Sequence, residues 1–334
     1  MDSKAHRFGL RDVWLLSQLQ DAGVALDIEG SIIWPQSPLA AALAGRMPFD
    51  TIHADTYVLN THNGTHRMRG FVQARLRPNG IESDVVFIAP ALDGDEVTEH
   101  TWQQLLTDLV KAEGARGRQR LFAKVPEEQE GAVEGFRSVG FGVYTQEFVY
   151  QRPALLKWPR DEREVTLRPL RDKDAWGLHR LYTNAAPRLV QQTEALPEES
   201  WESTPISRLQ GVHDDAYVWE RDDEILGYLR IVDGRKGYWL KALLHHDAQG
   251  YAENLFRAGL AKIDRAEAPI YCTVRGYEAG LRWALKHLGF EPVATLFLLV
   301  KHTTVFAQQP EPKRVPIPER AVEAAPSASR SSQV

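Results

Sequence analysis

The chain holds one cysteine, Cys272, in 334 residues. A single thiol forms no internal disulfide and builds no cysteine-ligated zinc site, and it suits a reducing, cytoplasmic setting. Long apolar runs are missing too. Nothing approaches the ~18 residues that span a bilayer. No stretch of signal-peptide type follows the opening Met-Asp-Ser-Lys-Ala-His-Arg. Charge of one sign is also scarce: 40 Lys and Arg against 45 Asp and Glu leave a net charge of -5. That balance supplies no general basic field for nucleic acid or an anionic membrane, and neither is an expected partner. The 9 tryptophans are scattered through the sequence, as packing residues are and a base-stacking surface is not.

What is present is a globular composition, 43% hydrophobic and 25% charged, over a length that suits two domains. The two halves repeat one order of elements. Leu10-Arg11-Asp12 and Leu170-Arg171-Asp172 each precede an amphipathic helix, with Asp as the expected N-cap. A strand meander follows in each, over 56–59, 68–76 and 83–88, then over 216–219, 226–232 and 237–244. Next come a helix (102–110; 255–263), a strand (120–125; 269–274), a helix ending in Gly-Phe (Gly140-Phe141; Gly289-Phe290), and a strand expected to close its own unit (147–150; 296–300). The stretches 32–49 and 189–210 read as loops. The expected division is 1–153, a linker at 154–164, 165–305, and a disordered tail over 306–334, where Pro, Ser and Ala dominate.

This order of elements, with the opening strand Thr166-Leu167-Arg168-Pro169 and the hairpin Glu224-Ile225-Leu226-Gly227-Tyr228, resembles the GNAT superfamily of N-acetyltransferases in two tandem copies. The resemblance implies an α/β (α+β) fold: each copy a mixed, mostly antiparallel sheet flanked by helices. It also implies acetyl-CoA as co-substrate, held in a V-shaped opening between two parallel strands, with no metal. The acceptor would be an amine of a small molecule or peptide, and a homodimer is possible in such a protein. The first copy, acidic at Asp93, Asp95, Glu96 and Glu99 where a pyrophosphate should sit, is expected to hold no cofactor.

In the second copy the cofactor residues implied are Leu243 and Leu244 for the pantetheine arm. Gln249, Gly250, Tyr251, Ala252 and Asn254 are implied for the pyrophosphate, which wants free backbone N–H groups at a helix start. The family's usual acid, a tyrosine four residues before Gly-Phe, falls on Phe136 and Leu285, which donate no proton. Its asparagine falls on Gln129 and Glu278. Candidate catalytic residues are therefore His245 or His246 as base, Tyr277 as substitute acid, and Glu220 as a base acting through water. Each has a plain alternative: a solvated strand end for the histidines, a packed aromatic for Tyr277, a turn carboxylate for Glu220. Cys272, among apolar neighbours, reads as a buried structural thiol. His53, His62 and His66 read as loop residues. The rival to a transferase is a tandem GNAT-like binding or scaffold protein without catalysis.

Overall fold

The computed structural model describes residues 4–45, 54–63, 66–153, 165–196, 213–265 and 267–303. The linker at 154–164, the tail from 306, His53 and the side chains of His62 and His66 lie outside them. The first half runs β1 (His6–Arg7), a 3₁₀ turn at Leu10–Asp12, α1 (Val13–Leu19), β2 (Val24–Ala25), α2 (Ile28–Ile33), α3 (Pro38–Ala44), β3 (Ala54–Asn63), β4 (His66–Leu76), β5 (Glu82–Ala89), α4 (Glu96–Ala115), β6 (Arg120–Pro126), α5 (Ala132–Ser138) and β7 (Gly142–Arg152). The second runs β8 (Leu167–Pro169), a 3₁₀ turn at Asp172–Asp174, α6 (Ala175–Ala185), α7 (Arg188–Glu194), β9 (His213–Arg221), β10 (Glu224–Asp233) and β11 (Tyr238–Leu244). It ends with a 3₁₀ turn at His246–Tyr251, α8 (Ala252–Leu260), β12 (Ile270–Arg275), α9 (Ala279–His287) and β13 (Glu291–His302).

The repeat is real, but its opening register is two residues from the one read off Leu-Arg-Asp. Asp12 accepts the Gly9 N–H at 2.8 Å and lies 3.1 Å from His6. In the second half the residue in this role is Asp174, not Asp172: it accepts the Arg171 N–H at 2.8 Å and pairs with Arg168 at 2.7 Å. Both carboxylates tie the first turn to the opening strand, so Trp14 and Trp176 become equivalent positions. The expected loops also hold structure. Asp27 and Ser37 cap α2 and α3 through the N–H groups of Gly30 and Ala40, and Pro38 begins α3, where a missing N–H costs nothing. Helix α7 lies in the other expected loop.

The strands form one continuous sheet, ordered β1-β3-β4-β5-β6-β13-β7-β12-β11-β10-β9-β8, with β2 beside β5. The last strands do not close their own units. β13 pairs with β6, Leu299 opposite Ala123, and β7 pairs with β12, Tyr150 opposite Cys272. The side chains follow the exchange: Leu299 is buried in the first half's core and Tyr150 in the second's. Period-two alternation says which side of a strand is apolar, and both exchanged strands obey it; it says nothing about which edge receives them. Helices α4, α5, α8 and α9 pack on one face of the sheet. Helices α1, α3, α6 and α7 pack on the other, and α2 lies over its centre with Ile33 against Val232, Trp239 and Leu298. No helix among the described residues is long and apolar enough to cross a membrane.

Candidate functional site

Among the described residues each half has one parallel strand pair, and each pair splays. β5 and β6 stay paired from Glu82 and Arg120 to Val85 and Ala123, then part. β11 and β12 stay paired from Tyr238 and Ile270 to Lys241 and Thr273, then part. Beyond each last pair one edge of the longer strand faces an opening, and the two openings are filled differently. In the first half β2 lies in it, with Val24 opposite Ile88 and Ala25 opposite Phe87. The N–H of Leu26 donates to the Val86 carbonyl at 2.9 Å, and that of Ala91 to Ala22 at 2.6 Å. Since β4 occupies the other edge of β5, β2 takes the edge that faces the opening.

In the second half no strand among the described residues enters. The His245 N–H bonds back to Leu226 of β10 at 2.8 Å, so alternation turns the Leu244 carbonyl toward the opening. There it accepts from the side-chain amide of Gln249 at 3.3 Å, which also reaches the His245 carbonyl at 3.2 Å. Gly280 of α9 makes the room: a Cβ there would lie 2.2 Å from the Gln249 Oε1. Gln249, expected at a pyrophosphate, thus caps a strand.

The other expected residues separate. Residues 246–251 form a 3₁₀ helix leading into α8, with Asp247 and Ala248 N–H bonded to His245. Those donors are spent, so the turn is no open phosphate cradle. A Cβ at Gly250 would touch nothing among the described residues, and its φ is not in the left-handed region, so no glycine is demanded there. Tyr251 packs its ring on Trp219 at 5.0 Å, Ala252, the first residue of α8, is buried, and Asn254 is half-buried. Leu243 joins an apolar cluster with Tyr182 and Tyr277, while the Leu244 side chain is in the opposite core.

His245 has both ring nitrogens engaged, Nδ1 by the Asp247 N–H at 3.2 Å and Nε2 with the Asn184 side-chain amide at 3.1 Å. It is held as a strand cap, with no nitrogen left for a substrate proton or a metal. Exposed His246 stacks on it with ring centroids 4.3 Å apart and contacts Asp247 at 3.3 Å. Glu220 is bound by Arg168 at 2.7 Å on β9, two strands from β11, or roughly 10 Å. Tyr277 is half-buried in the apolar cluster beside the opening, and burial pushes its hydroxyl well above its usual pKa. Leu285 and Phe136, where the resemblance puts an acid, are wholly buried core residues. Cys272 is buried, and burial raises its thiol far from reactivity.

Sequence reasoning passed over Glu278. It is the N-cap residue of α9, in the short turn after β12, 7% exposed, with one carboxylate oxygen accepting the Arg275 N–H at 2.8 Å and the other without a partner among the described residues. Burial pushes its pKa up to about 7. The sequence signal was its place, where the resemblance put an asparagine.

Between the inner ends of the two openings, on the α2 and α7 face, lies a cavity of about 550 Å³. Its wall is laced with ion pairs. Lys124 donates to Glu147 at 2.7 Å, and Arg275 bridges Glu147 at 3.4 Å and Glu194 at 2.9 Å. Burial alone would raise the Glu147 carboxyl, but Lys124 and Arg275 outweigh it and hold its pKa at about 2. Tyr144 and Tyr182 donate to Glu194 at 3.1 and 2.9 Å. Lys241 pairs with Glu29 of α2, and Arg230 with Asp214 at 2.6 Å.

No family model and no curated protein matches the sequence. Solved structures do. A tandem GNAT protein from the clavulanic acid biosynthesis pathway, without AcCoA, superposes with a TM-score of 0.53 at 15% identity, over 90% of this chain and 98% of that one. The chain has the tandem GNAT fold. A GCN5-related N-acetyltransferase from Sphaerobacter thermophilus gives the same TM-score, 0.53, at 13% identity over 90% of this chain and 95% of that one. The likeness covers both halves of the tandem GNAT fold, and at such identity it speaks for architecture alone.

Proposed function

We propose that this chain is an acyl-CoA-dependent N-acetyltransferase in which only the second half takes acetyl-CoA, as co-substrate, and the first half shapes the acceptor site. The observation that carries the reading is the unequal filling of the two openings. A paired strand, continuous with α2, cannot leave the first without unfolding its neighbourhood. The Gln249 side chain can leave the second for the loss of two long hydrogen bonds, about 1 kcal/mol each in net terms. Its amide presents to Leu244 the donor that a pantetheine amide would present.

The chemistry needs an amine made nucleophilic and a thiolate released as the N–C bond forms and the C–S bond breaks. Glu278, with a pKa near 7, suits the first of these steps. It can take the ammonium proton directly or through one water and give it to the departing thiolate, while the second nitrogen proton, lost as the amide forms, passes to solvent. The acceptor is an amine of a small molecule or peptide. Calorimetric titration with acetyl-CoA tests the reading, with one site per chain expected; no heat at millimolar cofactor overturns it. A specific observation favours a second reading, a ligand-binding protein without catalysis. The 3₁₀ turn at 246–251 keeps its N–H groups to itself and carries Asp247. That reading predicts no thiol release from acetyl-CoA with any amine.

A further inference from the structure

We propose that the cavity between the two strand openings binds a small zwitterion of the α-amino-acid or short-peptide class. The proposal rests on the transferase reading only for what happens next, since that zwitterion's amine would be the acetyl acceptor; binding itself needs no acetyl-CoA.

Four observations converge. The volume, about 550 Å³, is within the ~300–1,000 Å³ of small-molecule sites. The wall carries acidic and basic side chains in equal number, six of each. A ligand of one charge sign would bring its own uncompensated field into such a wall. A ligand carrying both signs finds a partner for each and leaves the total unchanged. Next, the pairs are not saturated. Lys241 donates only to Glu29, leaving two of three ammonium protons and one Glu29 oxygen without a bond among the described residues. Lys124 likewise donates only to Glu147. The spare lysine protons suit a carboxylate, and the spare Glu29 oxygen suits an ammonium. Finally, the Trp239 indole N–H, on a side chain 1% exposed, has no acceptor among the described residues, and Trp239 and Trp34 line the cavity with Leu296 and Leu298. An apolar bed with one unspent donor suits a ligand with a hydrophobic side chain and a carbonyl.

Position adds the functional link. Lys241 and Val85 are the last paired residues of the two parallel ladders, and both line the cavity. A bound amine would therefore lie at the inner end of the opening assigned to the cofactor.

The test is calorimetry on the full chain without acetyl-CoA, using L-tryptophan and L-leucyl-L-leucine. Controls are tryptophan methyl ester (no carboxylate), N-acetyl-tryptophan (no ammonium), spermidine and citrate. The expected result is one site for the zwitterions and at least about ten-fold weaker binding when either charge is capped, the equivalent of ~1.4 kcal/mol. Lys241→Met should weaken the free amino acid while changing the methyl ester little. Glu29→Gln should weaken the amino acid while sparing N-acetyl-tryptophan. Both positions are partly exposed, and a melting curve checks that the variants fold. Absence of zwitterion binding, equal binding of the capped forms, or tighter binding of spermidine or citrate overturns the proposal. Zwitterion binding without thiol release upon adding acetyl-CoA leaves this site standing and removes the transferase reading instead.

Discussion

The two openings start from the same backbone geometry and end in opposite conditions. Four paired residues precede the splay in each ladder. In the first half the free edge of β5 is then satisfied by backbone, in the second the free edge of β11 by one side chain. A backbone filling is cooperative with the fold. A side-chain filling is a local rotamer choice. On the transferase reading, one opening is closed by the fold itself and the other stays adjustable.

Substitutions can break or sharpen this contrast. The largest effect is expected for Glu278→Gln, which installs in the second half the amide that Gln129 already provides in the first. If Glu278 is the base, kcat/KM falls by roughly 10²–10⁴, while Gln129→Ala leaves it unchanged. Wild-type activity should rise with pH and level off above about 7, as the carboxyl ionises.

The same variant has a stability signature. A carboxyl raised from 4.5 to about 7 by burial costs nothing below the unfolded value, costs progressively more between the two, and a constant amount above. Glu278→Gln should therefore melt with the wild type near pH 4 and gain on it up to pH 7, by on the order of 3 kcal/mol. A pH-independent difference would show that Glu278 is not held neutral.

A comparable loss is expected from the first opening. A Cβ at Gly23 would lie 2.4 Å from the Phe87 ring and 2.8 Å from the Ile88 carbonyl, so Gly23→Val should cost about 3 kcal/mol. Gly280→Ala clashes first with the flexible end of the Gln249 side chain and should cost less than about 1 kcal/mol. Equal losses in chemical denaturation would erase the distinction between the fillings. The smallest effect belongs to Gln249→Ala. Freeing the Leu244 carbonyl should tighten acetyl-CoA by roughly two- to ten-fold, read by calorimetry. Weaker binding would mean that Gln249 holds the cofactor rather than its place.

Much of the architecture was legible because it is written in periodicity. Thr56–Leu59, Ser83–Ile88 and Leu226–Val232 all fall within strands, and the helix-ending glycines Gly140 and Gly289 adopt the positive φ they foretold. The motif Leu-Arg-Asp misled by two residues because a capping carboxylate acts through geometry, and two aspartates, Asp172 and Asp174, crowd the second turn. β2 escaped because a strand of two residues has no period. The site was less legible still. Gln249 and Gly250 have the composition of a phosphate turn, yet Gln249 folds inward because Gly280, far along the chain on α9, leaves it room. Nothing near Glu278 in the chain announces that it will be buried.

The exchange of β7 and β13 has a consequence for how the molecule comes into being. The first half's sheet waits for β13 to cover the edge of β6, and β13 is the last strand of the described region to be synthesised. Until then β6 presents an unpaired apolar edge, in the company of chaperones and other nascent chains. Contacts so distant in sequence are slow to close. The two halves are thus mutual prerequisites in time, and a chain released before β13 would carry an unfinished first half.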